Sequence, residues 1–178
     1  LAEDLVYRLY SARGYAVEAS SPDAPAESCR SRRSSVILAF DGARAVGTVT
    51  VGIDSMAGLL VDEVHREHID RLRESGRRLG EVVRLAVDEK SADSRVVLAS
   101  LFNAAHGVMV ANRLDDVFVE VNPRHVSFYH RALCFNVAGP ETTCPRVGAP
   151  SVLMRMKVAD LTDKIGSLER AIAEFPLG

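Results

Sequence analysis

Apolar positions along the chain recur at two spacings, a helical one of three to four residues and a strand-like one of two, and their alternation predicts a layered α/β chain. Leu1, Leu5, Val6 and Leu9 share a helical face and the run stops near Gly14, so the chain opens with a helix. Residues 20–35 are rich in Ser, Pro and Ala and predict an irregular, solvated segment. Val36 to Phe40, Asp41-Gly42 and Ala45 to Ile53 read as two strands around a tight turn. Met56 to Gly76 reads as a helix with Val61, Val64, His68 and Leu72 on one face and Gly76 as its stop.

Two strand-then-helix units follow. In the first, Glu81 to Val87 is a strand and Ser94 caps a helix striped by Leu98, Leu101, Ala105 and Val108. In the second, Val117, Val119 and Val121 form a strand, Asn122-Pro123 supplies a cap with proline in the first turn, and Val126, Tyr129 and Leu133 line a short helix. Ser151 to Val158 reads as the last strand and Asp160 to Phe175 as a closing amphipathic helix, whose apolar face suits either its own domain or a dimer surface. With no repeat or linker, residues 1–178 are expected to form a single domain.

Composition narrows the class. The formal charge of -2 offers no electrostatic footprint for nucleic acid. No uninterrupted apolar run reaches the eighteen or so residues of a membrane span, and LAEDLVYRLY lacks the layout of a signal peptide, so no membrane span and a cytoplasmic location are expected. Cys29, Cys134 and Cys144 are odd in number and far apart, which predicts reduced thiols over a disulfide framework or zinc site.

The segment VEVNPRHVSFYHRALCF resembles the C-terminal signature of the GNAT acyltransferases. In that signature an asparagine ends the fifth strand, a tyrosine follows seven residues later, and a phenylalanine opens the next strand; Asn122, Tyr129 and Phe135 keep this pattern. The resemblance implies an α+β fold with a central mixed, mostly antiparallel sheet flanked by helices, splayed between its strands four and five. It also implies that Tyr129 faces the thioester sulfur and protonates the leaving thiolate. By position alone, Tyr129 is equally a core residue beside Val126 and Leu133. The signature usually has glycine between leucine and phenylalanine, where this chain has Cys134. Acetyl-CoA-using members carry a Gln/Arg-x-x-Gly-x-Gly/Ala loop whose backbone N–H groups bind pyrophosphate. The matching stretch, Arg95 to Ser100, has Leu98 and Ser100 at the small positions, which argues against a standard CoA donor.

A narrower resemblance covers most of the chain. GEVVRLAVDE, VLASLF, EVNPRHVSFY and CPRVGAPSVLM, with YRLYSARGY and GLLVDEVHREHIDRLRESGRRLGE upstream, are similar to the bacterial N-acyl amino acid synthase family and, more distantly, to acyl-homoserine lactone synthases. That family implies a long-chain acyl group carried as a phosphopantetheine thioester on acyl carrier protein, or on CoA, and moved to the α-amine of an amino acid. No permanently bound cofactor is implied. Both groups show Glu-x-x-Arg on the fourth strand, reproduced by Glu81 and Arg84. Glu81 is then the base that takes a proton from the ammonium, and Arg84 either holds the amino acid's carboxylate or orients Glu81. Three residues apart on a regular strand, the two side chains point to opposite faces, so they share a site only if the strand bulges. Otherwise the pair is a solvated strand edge. The thioester oxygen is expected to meet backbone N–H groups of Leu85, Ala86 and Val87, beside the splay.

Other charged residues have open readings. Arg30, Arg32, Arg33, Arg77, Arg78 and Arg95 either face an acidic carrier or its phosphate, or are ordinary solvated charges. His65 and His68 with Glu63 and Glu67 suggest a metal only superficially, since no third ligand is evident, and no metal is expected. The cysteines have no neighbouring basic motif that would make one a nucleophile. The alternatives to an N-acyl amino acid synthase are an acyl-homoserine lactone synthase, an acetyl-CoA-dependent acetyltransferase and a non-catalytic acyl or carrier-binding module.

Overall fold

Strand pairing starts from the predicted hairpin. In a computed structural model, which describes residues 1–12, 32–88 and 93–175, β1 (Arg33–Asp41) pairs antiparallel with β2 (Arg44–Ile53) around Gly42, whose φ of +57° suits the turn. β2 pairs antiparallel with β3 (Leu79–Val87), and β3 pairs parallel with β4 (Asp116–Val121). β4 then meets β6 (Ala149–Lys157), and β6 meets β5 (Asn136–Cys144), both antiparallel. The sheet order is β1-β2-β3-β4-β6-β5, mixed and mostly antiparallel. The strands that the acyltransferase pattern numbers four and five correspond to β3 and β4 here.

Strand alternation sends two apolar sets to opposite faces. Val49, Val51, Val82, Val117, Val119, Met154 and Met156 pack with Ala99, Leu101, Phe102, Ala105 and Met109 of α3 (Ser94–Ala111). Leu79, Phe118 and Leu153 meet Leu59, Val61 and Ile69 around α2 (Asp62–Glu74) on the other face. The first helix, α1 (Ala2–Ala12), lies against β2 and β3, and its Arg8 stands 3.9 Å from Asp88 just after β3. Helix α3 is long and apolar enough to cross a membrane by composition alone, but its stripe is buried in the core.

Several predicted bounds move, each for a local reason. β1 begins at Arg33, so the polar run gives way to strand three residues early; residues 20–31 of the predicted irregular segment, with Cys29 and Arg30, lie outside the described residues. Residues 56–61 are a turn that ends in buried Val61, and α2 buries His65 and Ile69 while Val64 and His68 face outward. The buried stripe is therefore rotated from the predicted one, because polar His65 occupies an inside position. Ser94 is the first helical residue of α3, after an Asp93 cap that makes no side-chain bond. Asn122 caps as expected, its side chain accepting from the Arg124 N–H at 3.2 Å, but what it caps is a short 3₁₀ turn before α4 (Val126–Leu133).

The closing helix divides into α5 (Val158–Lys164) and α6 (Leu168–Glu174), separated by a 3₁₀ turn. Leu161, Leu168 and Ile172 enter the core of their own chain, and the Phe175 ring meets Phe128 at 5.2 Å. Cys134 ends α4 at φ 63°, in the left-handed region, so the glycine geometry of the signature survives the substitution. A Cβ in that region costs about 1–2 kcal/mol. Cys134→Gly and Cys134→Ala both delete the thiol, but only glycine relieves this strain. Chemical denaturation is expected to find the glycine variant more stable than the alanine variant by about 1 kcal/mol.

Candidate functional site

β3 and β4 separate partway along their length. They pair only at Leu79↔Asp116, Gly80↔Val117 and Glu81↔Phe118, yet continue to Val87 and Val121. Beyond Glu81 the facing backbone edges have no ladder partner on each other, which leaves polar main-chain groups turned toward a gap. On its other edge β3 bulges: Thr48 faces Ala86 but Thr50 faces Val83, so β3 carries one extra residue there. Arg84 occupies it at φ 54°. The Asp88 N–H donates to the Val46 carbonyl at 2.8 Å, which makes Val87 and Gly47 a non-hydrogen-bonded pair and aims the Val87 amide away from β2, toward the gap.

Glu81 sits at the last paired position, with only 2% of its surface exposed. Its Oε1 accepts from the Leu60 N–H at 2.9 Å and its Oε2 from the Val61 N–H at 3.1 Å. The preceding Leu59 N–H donates to Asp62 at 2.7 Å, so successive amides of the turn before α2 each hold a carboxylate oxygen. Arg73 fastens the turn by bonding Asp54, Asp62 and Asp70 at 2.6 to 2.9 Å. Across β2, Gly52 is the register partner of Glu81, and a Cβ there would come within 2.7 Å of the Glu81 Cγ. Burial pushes the Glu81 carboxyl above its ordinary value, opposed by the two backbone bonds and by Arg146 and Arg32. It is thus a more basic carboxylate than a solvated one.

The bulge brings together what a regular strand would separate. Glu81, Val83 and Arg84 line one small open pocket, with Arg32, Arg33, Thr50, Gly52 and Leu60 among the other walls. A buried carboxylate therefore shares a pocket with three arginines, whose side chains can pair with an anionic group.

Sequence reasoning missed the residues behind Glu81. Glu120, two residues past the last pair of β4 with β3, is bonded by Arg146 from the β5–β6 turn. Arg146 also bonds Glu63 at 2.7 Å and the Leu60 carbonyl at 3.1 Å. His65, 2% exposed, has its Nε2 3.5 Å from Glu120 Oε1 without hydrogen-bond geometry. Burial lowers the His65 pKa against the pull of Glu120, so its ring is neutral near pH 7. One signal was available: in DVFVEV a lone glutamate interrupts an apolar strand. Among the described residues no group of His, Cys, Asp or Glu is placed to hold a metal.

The remaining predicted residues lie elsewhere. Tyr129 is buried in the cluster on the α3 face, its ring edge-on to Phe102, Phe128 and Phe135 at 5.6 to 6.4 Å. Arg95 to Ser100 is helical throughout; Arg95 donates to the Ala173 carbonyl of α6 and Ser100 is exposed on α3. Neither lines the Glu81 pocket. Arg77 is bonded to fully buried Asp116, together with Arg155. Cys134 and Cys144 are buried, and burial raises both thiols, which opposes a nucleophilic thiolate.

A family model described as N-acyl amino acid synthase FeeM matches residues 2–157. The solved structure of FeeM, an N-acyl amino acid synthase from uncultured soil microbes, is 27% identical, with 91% of each chain covered and a TM-score of 0.80. A CoA-dependent acyl-homoserine lactone synthase, BjaI, solved with SAM and isopentyl-CoA, is 14% identical over 93% of this chain and 78% of that one, with a TM-score of 0.54. An aminoglycoside 6'-acetyltransferase type Ii is 12% identical over 88% and 87%, with a TM-score of 0.56. These last two share the fold. Comparison with curated proteins by sequence finds no match. The chain belongs to the FeeM family of N-acyl amino acid synthases, acyltransferases built on the GNAT fold.

Proposed function

We propose that this acyltransferase moves a long-chain acyl group from a phosphopantetheine thioester, carried by acyl carrier protein or CoA, to the α-amine of an amino acid. The observation that carries the reading is a buried, basic Glu81 at the mouth of the β3–β4 gap, facing a pocket rimmed by Arg32, Arg33 and Arg84. An ammonium loses one proton to Glu81, the amine nitrogen attacks the thioester carbon, the C–N bond forms and the C–S bond breaks, and the nitrogen's second proton passes to the water or Tyr129 that protonates the leaving thiolate. A rim arginine, Arg84 first, receives the amino acid's carboxylate. Backbone N–H groups of Leu85 to Val87 receive the thioester oxygen, and the Val87 amide has the orientation for it.

The departing thiolate takes a proton from Tyr129 or from water. The apolar α3 face, opposite Glu81, suits the acyl tail, and Asn122 shapes the turn that presents Tyr129. In this reading Arg95 and Ser100, in the first two turns of α3, contact the donor's phosphate arm. Leu98 on that helix favours acyl carrier protein over CoA as the donor. Residues 1–178 act as a single acyltransferase unit, working where such thioesters are made, in the cytoplasm.

The direct test incubates the protein with acyl-carrier and acyl-CoA thioesters of several chain lengths plus the twenty amino acids, and identifies N-acyl products by mass spectrometry. Products drawn only from long-chain carrier-bound donors are expected; donor binding with no product from any amine would mean a binding module instead. In the same assay Glu81→Gln is expected to lose about 10²–10⁴-fold in kcat while still binding the thioester. Full activity in that variant removes Glu81 from the chemistry. Because its pKa is raised, wild-type activity should fall as pH drops through a value above the ordinary carboxylate range, with the deprotonated form active.

Gly52→Ala gives a second, geometric test. The added Cβ would lie 2.9 Å from Glu81 Oε1 as well as against its Cγ, so the carboxylate must move. Displacement on the ångström scale predicts a loss of about 10²-fold in kcat with the fold retained by circular dichroism. Gly107→Ala, where nothing lies within 4 Å of the new Cβ, is the control and should keep wild-type turnover.

A further inference from the structure

One peptide group is held from both ends by charged side chains. The Leu60 carbonyl accepts from Arg146 Nη1 at 3.1 Å, and the N–H of the same peptide, on Val61, donates to Glu81 Oε2 at 3.1 Å. The adjacent Leu60 N–H holds the other Glu81 oxygen at 2.9 Å. The order guanidinium, carbonyl, N–H, carboxylate aligns the peptide dipole between a cation and an anion, an arrangement in which each bond polarises the next. Arg146 is itself fixed, bonded to Glu120 on β4 and, at 2.7 Å, to Glu63 on α2.

We propose that Arg146 is a positioning residue for the acyl-transfer base: through the Leu60–Val61 peptide it sets where the Glu81 carboxylate points and how readily it holds a proton. This rests on the reading of Glu81 as the base. Arg146 lies behind that carboxylate, away from the pocket lining, and so acts on the reaction only through the peptide and its charge. Among the described residues, the charged groups near Glu81 include Arg32 and Arg33 at the start of β1, Arg84 on β3, Asp62 on α2, Glu120 on β4 through its pair with Arg146, and Arg146 itself. Of these, Arg146 alone also grips the peptide that donates to Glu81. Anchoring by Glu120 and Glu63 ties the splayed strand and α2 to the same node, so the base is set by the strand that forms the other side of the gap.

The test uses Arg146→Gln, Arg146→Lys and Arg146→Gln in a Glu81→Gln background. Turnover is measured with the acyl thioester and amino acid that give most product in the mass-spectrometric screen. The Glu81 carboxyl is titrated by carbon-13 NMR in substrate-free protein, with the Val61 amide shift followed alongside. In Arg146→Gln, kcat should fall about 10- to 100-fold, the range for groups that orient a reacting ligand from behind, with KM for the thioester within about twofold. The Glu81 midpoint should rise, since a positive charge that favours the carboxylate is gone, and the acid limb of the rate profile should move up with it. Arg146→Lys should restore the midpoint more fully than kcat, because it keeps the charge and loses the fork.

In the Glu81→Gln background, removing Arg146 should cost no further kcat. The proposal is overturned by an unmoved Glu81 midpoint with an unmoved Val61 amide, or by a full additional loss in that background. Activity persisting in Glu81→Gln alone would instead sink the base assignment, while the titration still decides whether Arg146 sets the carboxylate. Should Arg146→Gln fail to fold with Glu120 left unpaired, the comparison of Arg146→Gln/Glu120→Gln with Glu120→Gln isolates the same contribution.

Discussion

The separation of β3 from β4 after Glu81 and Phe118 is the constraint on which the rest of the molecule depends. A sheet interior normally satisfies its own backbone, and each polar group left unpaired away from water costs about 1–3 kcal/mol. Here the two central strands part with residues to spare, and the gap can be kept only because neighbouring elements hold each strand independently. β3 is paired along β2 and bulged at Arg84, while β4 is paired with β6 from Asp116 to Val121. Asp116, fully buried between Arg77 and Arg155, pins the closed end of the split.

Electrostatics at the split follow from burial. A carboxylate with almost no exposed surface would ordinarily become neutral, and Glu81 is pushed that way. Two backbone N–H groups at the start of α2 and two guanidinium groups oppose the shift. The N-terminal end of a helix favours negative charge for the same reason. The balance leaves a carboxylate that holds a proton more readily than a solvated glutamate, fixed in place by the two amides.

The two faces of the sheet have different chemistry. Around α2 the face is polar near the split, with Glu81, Glu120, His65 and Arg146 buried or partly buried together. Around α3 it is aliphatic and aromatic, with Tyr129 among Phe102, Phe128 and Phe135. The gap between β3 and β4 opens between these two faces.

The strongly periodic helices and strands, the hairpin at Asp41-Gly42 and the family are encoded locally, because spacing and short motifs are written in contiguous residues. Asn122 at its cap and Cys134 in place of glycine are readable in the same way, since each concerns a turn of a few residues. The remaining features depend on register between distant strands. The bulge that brings Arg84 to the side of Glu81 arises from the pairing of β3 with β2. The inward turn of His65 comes from packing of α2 on the sheet, against a pattern that favoured Val64 and His68. Arg146 reaches Leu60 across 86 positions of chain, and no local pattern encodes a bond between two turns so far apart. Periodicity reports which face of an element is buried, whereas the partner met there is set by how elements dock.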